Sequence, residues 1–247
     1  MISLVKPELS NLINWFRPVC GENLIDIQPY EMGNRDPNVL KGYEKVGNLT
    51  YVLKIFFHLL TDGKVICLHK TLDQPCPICI KVNELICAQE IVNNKLGHNV
   101  PELDEKISKL KVKTYPMCFY NILVDSKPHV WMINGFSSET QLLKASLILI
   151  PFKDHRGRQI YSIDENGDLI PDTFKNRIIF SNPNAGESGG RHITFDYSIQ
   201  GHKYANFSNY QLHIRKNSIP ISDFQIDSIL EIPSYDTIES YLDEEEK

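Results

Sequence analysis

The feature that most constrains this chain is the run His58-Leu-Leu-Thr-Asp-Gly-Lys-Val-Ile-Cys67, followed closely by Cys76-Pro-Ile-Cys79. Tyr51 to Leu60 alternates as a strand does. Tyr51, Leu53, Ile55, Phe57 and Leu59 form a wholly apolar face, and Val52, Lys54, Phe56, His58 and Leu60 a mixed one. Asp62-Gly63 is a strong two-residue hairpin signal, because both turn positions need positive φ. That turn sets Thr61 against Lys64 and, counting outward, His58 directly against Cys67. Opposed residues share a face with Cβ atoms about 5 Å apart, which suits two ligands of one tetrahedral ion. The Cys76/Cys79 knuckle completes a closed Cys₃His set, the kind that holds structural zinc. We therefore expect one structural Zn2+ on His58, Cys67, Cys76 and Cys79. His69, on the same face as Cys67, is the alternative to His58. Two plainer readings stand beside the metal: a histidine that only packs, and a CxxC that works as a redox pair.

At 247 residues the chain has room for one large or two small domains and a substantial core. No apolar run reaches transmembrane length. Lys6, Pro7 and Glu8 interrupt Met1 to Leu12, where a signal peptide would lie. A soluble, intracellular protein with no membrane partner is expected. Cys20, Cys87 and Cys118, the cysteines outside the ligand set, are scattered and odd in number, which fits a reducing compartment. The net charge of −5 conceals an asymmetry: residues 221–247 carry nine acidic residues and one lysine, leaving 25 basic and 22 acidic residues in 1–220. The run Asp243-Glu-Glu-Glu246 follows Pro233-Ser234, a natural exit from a folded body. The chain reads as a mildly basic, anion-binding body with an acidic tail, either an interaction segment or a solvated end.

Short strands with a few inserted helices run along the rest. Strands are expected at Asn23–Pro29, Tyr115–Val124, Val130–Ile133, Leu147–Phe152, Arg177–Phe180, His192–Ile199 and Gln211–Ile214. Helices are expected at Ser3–Trp15, Ile80–Asn93, Glu102–Leu110 and Ser137–Ala145. The fold class is mainly β with inserted helices: a small barrel carrying a zinc subdomain.

These pieces together resemble the single-stranded-DNA-binding (helix-destabilising) proteins of T-even bacteriophages and their relatives. The resemblance rests on Asn23-Leu-Ile-Asp-Ile-Gln-Pro29, the His-turn-Cys hairpin, Cys76-Pro-Ile-Cys79, Asn121-Ile-Leu-Val124, Phe207-Ser-Asn-Tyr210 and Ser218-Ile-Pro220, in that order. It covers residues 20–222. Asp26 stands where the family carries a basic residue, and the start of the chain lacks the family's basic segment for self-association. The resemblance implies an OB-fold core, a five-stranded Greek-key barrel, over residues 20–222. This core includes a zinc subdomain at about 50–113, with an N-terminal segment 1–19 before it and the acidic tail 223–247 after it. It also implies a phage protein of the host cytoplasm that coats single strands in DNA replication, recombination and repair, with self-association on DNA and tail-borne partners from those pathways.

Such binding needs cations that track phosphates and aromatic faces on which any base can stack. Two segments supply both. One contains Lys111, Lys113, Tyr115, Phe119 and Tyr120, and the other Lys203, Tyr204, Phe207, Tyr210 and Arg215. No catalytic constellation stands out, and a closed four-ligand zinc site has no open position to activate water. The expectation is a non-enzymatic strand-binding protein. The competing reading is an adaptor of a replication or transcription machine that keeps the fold with little or no strand binding.

Overall fold

A computed structural model describes residues 4–10, 12–61, 63–113, 116–134, 142, 147–151, 153–171, 173–177, 182–186, 189–200 and 204–245. In the first half lie α1 (Pro7–Ser10), β1 (Gly21–Gln28), β2 (Tyr30–Glu31), α2 (Pro37–Leu40), β3 (Leu49–Thr50), β4 (Leu53–Ile55), β5 (Phe57–Leu60), β6 (Gly63–Ile66), α3 (Leu68–Leu72), α4 (Pro77–Leu96) and α5 (Pro101–Leu110). After them come β7 (Met117–Val124), β8 (Lys127–Asn134), β9 (Leu147–Pro151), β10 (Tyr161–Ile163), β11 (Leu169–Pro171), β12 (Thr173–Arg177), β13 (Arg191–Gln200) and β14 (Tyr204–Ile214). A 3₁₀ turn (Ile226–Ile229) and a C-terminal helix (Tyr235–Glu245) follow. The chain is mainly β with a few helices, and these strands pair antiparallel. Of the expected helix Ser137–Ala145, only Leu142 lies among the described residues. No described helix is long and apolar enough to cross a membrane.

The chain divides into two compact units. The first comprises Met1–Arg17, Gln28–Phe136 and Pro220–Lys247, the second Pro18–Ile27 and Ser137–Ile219. In the first, β7 pairs with β4 (Leu53↔Phe119) and along its whole length with β8. Asp125 and Ser126, both at positive φ, make the two-residue turn that joins β7 to β8. Leu53, Ile55, Phe57, Phe119 and Val130 pack with Ile226, Ile229 and Leu230 of the 3₁₀ turn. Asp227, almost fully buried, fixes that turn by accepting from the amides of Gly33 (3.2 Å) and Arg35 (3.1 Å). A Cβ on Gly33 would meet the Asp227 carboxylate at 2.5 Å, so this close approach requires glycine.

The strand expected over Tyr51–Leu60 is broken at Phe56. The Phe56 amide donates to Thr71 Oγ1, and its carbonyl accepts from the Cys67 amide and Thr71 Oγ1. The kink ends the alternation there: Phe57 and His58 are both buried, and Leu59, placed on the apolar face by the sequence, is exposed.

The C-terminal segment also departs from expectation. It does not leave the body at Pro233-Ser234. Ser234 accepts from the Thr237 amide at the start of a helix, and Ile238 and Leu242 are buried in a cluster with Leu60, Val65, Leu68, Leu72, Ile78 and Val82. Apolar residues of the expected tail are packed against the chain's own body.

In the second unit β1 pairs with β13 (Gly21↔Tyr197 to Ile25↔Ile193), and β13 with β14 (His192↔His213 to Gln200↔Tyr204). A register shift between Thr194 and Asp196 accommodates Asn209, which sits at positive φ as a bulge. Smaller pairs, β9 with β12 and β10 with β11, complete what is described of this unit. Of the strand expected at Arg177–Phe180, Arg177 belongs to β12, and residues 178–180 lie outside the described residues.

Candidate functional site

His58, Cys67, Cys76 and Cys79 converge. One ligand atom from each lies within 4.8 Å of all the others, and the first three residues are buried. Cys67 Sγ to Cys79 Sγ is 3.5 Å, and His58 Nε2 lies 3.5 Å from Cys76 Sγ and 3.6 Å from Cys79 Sγ. Zinc bonds of about 2.3 Å to sulfur and about 2.0–2.1 Å to nitrogen, set tetrahedrally, require edges of about 3.8 and 3.6 Å. The cluster has the dimensions of a four-ligand metal site. His69, the alternative ligand, is exposed and outside it.

The hairpin builds the site by a different register from the one the sequence suggested. Leu60 pairs with Gly63, so the chain reverses between them, with Thr61 in the turn and Asp62 outside the described residues. His58 then faces Val65, and Cys67 falls beside Phe56, whose carbonyl takes the Cys67 amide at 2.9 Å. The slip is two residues, and side chains alternate with period two. His58 and Cys67 therefore remain on one face as diagonal neighbours, within side-chain reach. Cys67 also caps α3, its sulfur accepting from the Lys70 amide at 3.4 Å. Cys76 occupies the N-cap of α4, and Pro77 begins that helix with a residue that needs no amide partner. The knuckle's place at a helix start is shared with redox CxxC pairs. Here, however, α3 precedes it instead of a strand, and two further ligands converge on it.

His58 Nδ1 lies 2.8 Å from the Leu110 carbonyl oxygen at the end of α5. That bond places the proton on Nδ1 and leaves Nε2 facing the sulfurs as a ligand. Burial disfavours the imidazolium, but the Cys67 and Cys76 sulfurs outweigh it and push the His58 pKa up to about 9. Hydrogen bonds with Cys67 and Cys79 hold the Cys76 thiol well below its ordinary value, and those with Cys67 and Cys76 push Cys79 far above it. A cation that binds takes the place of the protons on the thiols and on Nε2.

Among the described residues, the expected nucleic-acid positions divide between buried and accessible ones. Phe119 and Tyr120 are fully buried, Phe119 against Trp15 (ring centroids 6.5 Å) and Tyr120 against Trp131 (5.9 Å), so neither presents a face to a ligand. They are core residues because β7 is buried on both sides over Met117–Ile122. The apolar run Met117–Tyr120 is the signal that alternation does not hold there. Arg215 is a second correction. Its buried guanidinium pairs with Asp26 at 2.9 Å and donates to the carbonyls of Asn182 (2.7 Å) and Asn217 (2.6 Å), holding the second unit's loops instead of facing solvent. Lys111 is exposed and Lys113 half-buried. Tyr115, Lys203 and the side chain of Tyr204 lie outside the described residues.

Phe207 and Tyr210 are half-buried on β14. Their rings lie 5.8 and 5.4 Å from Phe195, and Tyr197 lies 5.1 Å from Phe207. The resulting aromatic rank is anchored by buried Phe195, with Tyr197, Phe207 and Tyr210 half-buried beside it. No family model, curated protein or solved structure matches the chain.

Proposed function

We propose that the chain is a non-enzymatic single-stranded-DNA-binding protein that coats strands without sequence preference in viral replication, recombination and repair, with zinc as the ion of its Cys₃His site. The observation that carries this reading is the partly exposed rank of Tyr197, Phe207 and Tyr210 on the long β13–β14 ribbon. Anchored rings with one accessible side stack on any base, at about 1–3 kcal/mol each. The metal site supports a binding role because its four ligands close the coordination sphere around an ion that stabilises structure. An OB-fold core and self-association on the strand belong to the same proposal. Replication or recombination partners would engage the exposed acidic side of the C-terminal helix, at Asp236 and Glu239.

Phe207→Ala and Tyr210→Ala test the reading by fluorescence titration with oligo-dT. Each is expected to weaken binding by about 1–3 kcal/mol with the fold retained. Wild-type affinity in both variants would remove the ribbon from the site.

A further inference from the structure

A cleft of about 300 Å³ in the first unit is lined by Lys41, Lys54 and Lys70, together with Phe56, Thr50 and Thr71. The sequence did not point to it, because its cations come from three separate elements: the end of α2, β4 and α3. Two of the ammonium groups already sit over aromatic faces, Lys70 Nζ 5.3 Å from the Phe56 ring centroid and Lys41 Nζ 5.5 Å from that of Tyr43. Tyr43 itself is 69% exposed. The one carboxylate in the lining, Asp36, is buried and engaged by the Asn38 amide (2.8 Å) and the Tyr30 hydroxyl (3.4 Å), and burial favours its neutral form. The cleft lining is therefore cationic, with the Phe56 ring among the cations and Tyr43, whose hydroxyl donates to Asp73 (2.9 Å), beside Lys41 at its edge. A nucleotide strand presents that alternation in reverse, a phosphate and then a flat base.

We infer that this cleft is a second contact site for single-stranded nucleic acid, with Lys41, Lys54 and Lys70 on successive phosphates and bases against Phe56 and Tyr43. The inference deepens the strand-binding reading and rests on it. The cleft's geometry is tied to the metal cluster. The Phe56 carbonyl is held by the Cys67 amide at 2.9 Å and by Thr71 Oγ1 at 3.0 Å, and the Lys70 amide donates to Cys67 Sγ. One metal ligand thus fixes both the ring and the cation. On binding, Lys70 and Lys41 move from the rings of Phe56 and Tyr43 to phosphates, and a base takes the place of each on its ring.

The test is oligo-dT binding across a salt series for wild type, for Lys41→Gln/Lys54→Gln/Lys70→Gln, and for Lys106→Gln, an exposed helical lysine outside the cleft. Each phosphate contact on a single strand contributes about 0.7 to the slope of log K against log salt. The triple variant should lose about 2 from that slope, and Lys106→Gln should keep the wild-type value. Tyr43→Ala should weaken binding on the order of 5- to 150-fold, the equivalent of one stacked base. An unchanged slope in the triple variant that still binds overturns the cleft and leaves the strand-binding reading standing. Wild-type protein that fails to bind oligo-dT overturns both. Equal affinity for a duplex of the same length also overturns the inference, since paired bases cannot reach the rings.

Discussion

The Nδ1 of His58 and the carbonyl oxygen of Leu110 lie 2.8 Å apart, although 52 residues separate them in the chain. Through this bond the end of α5 sets the tautomer of a candidate metal ligand, and an ion held there would tie the end of α5 to the hairpin. Metal binding in such a cluster is folding free energy. Cys76→Ser is expected to lower bound metal and thermal stability together, measured by metal analysis and calorimetry on one preparation. Full stability with no metal would reduce the cluster to packing.

Chelation should also weaken strand binding, since Cys67 holds both Phe56 and Lys70. Stripped protein that remains folded by circular dichroism is expected to bind oligo-dT less tightly and with a shallower salt slope, and added zinc should restore both. Unchanged binding after stripping would uncouple the cleft from the ion.

The C-terminal helix is expected to be structural. Ile238→Ala removes a fully buried side chain and should cost about 2–5 kcal/mol of stability, read as a shift in denaturant midpoint at constant slope. Deleting residues 233–247 should destabilise the metal site as well, because Ile238 and Leu242 pack in the cluster that contains Cys67 and Cys76. A truncated chain with full stability and metal content would restore the free tail.

Gly33→Ala should displace Asp227 from two backbone amides. Leaving buried amides unpaired costs about 1–3 kcal/mol each. The same measurement serves, with a second glycine, Gly47→Ala, as the comparison: Gly47 has open space around it, so only its positive φ resists the change.

Arg215→Met should cost about 3–5 kcal/mol by leaving Asp26 and several carbonyls without their partner. Loss of strand affinity without loss of stability would return Arg215 to the groove.

The four metal ligands were legible because cysteine and histidine spacing is local and a two-residue slip leaves a strand's face unchanged. The turn itself was misplaced by the Asp62-Gly63 signal. Gly63 instead opens β6 at φ 146°, a positive φ that also favours glycine. β1, α4, α5 and β7 followed from period and punctuation with boundary shifts of a few residues. What sequence could not show was burial decided by distant partners. Phe119 and Tyr120 look alike as core residues or stacking platforms until Trp15 and Trp131 are placed beside them. The acidity of residues 236–246 hid the two apolar positions that bind the C-terminal helix to the body. Lys41, Lys54 and Lys70 are 13 and 16 residues apart, and only the fold brings them to one cleft.

The most direct measurement is the titration of metal-loaded, full-length protein with fluorescent oligo-dT at about 50 and 200 mM salt, a range over which phosphate-bound counterions dominate affinity. The account predicts saturable binding that weakens steeply between the two concentrations and survives replacement of dT by a mixed sequence. Absence of saturable binding at the lower salt, in protein shown to be folded and metal-loaded, would contradict it.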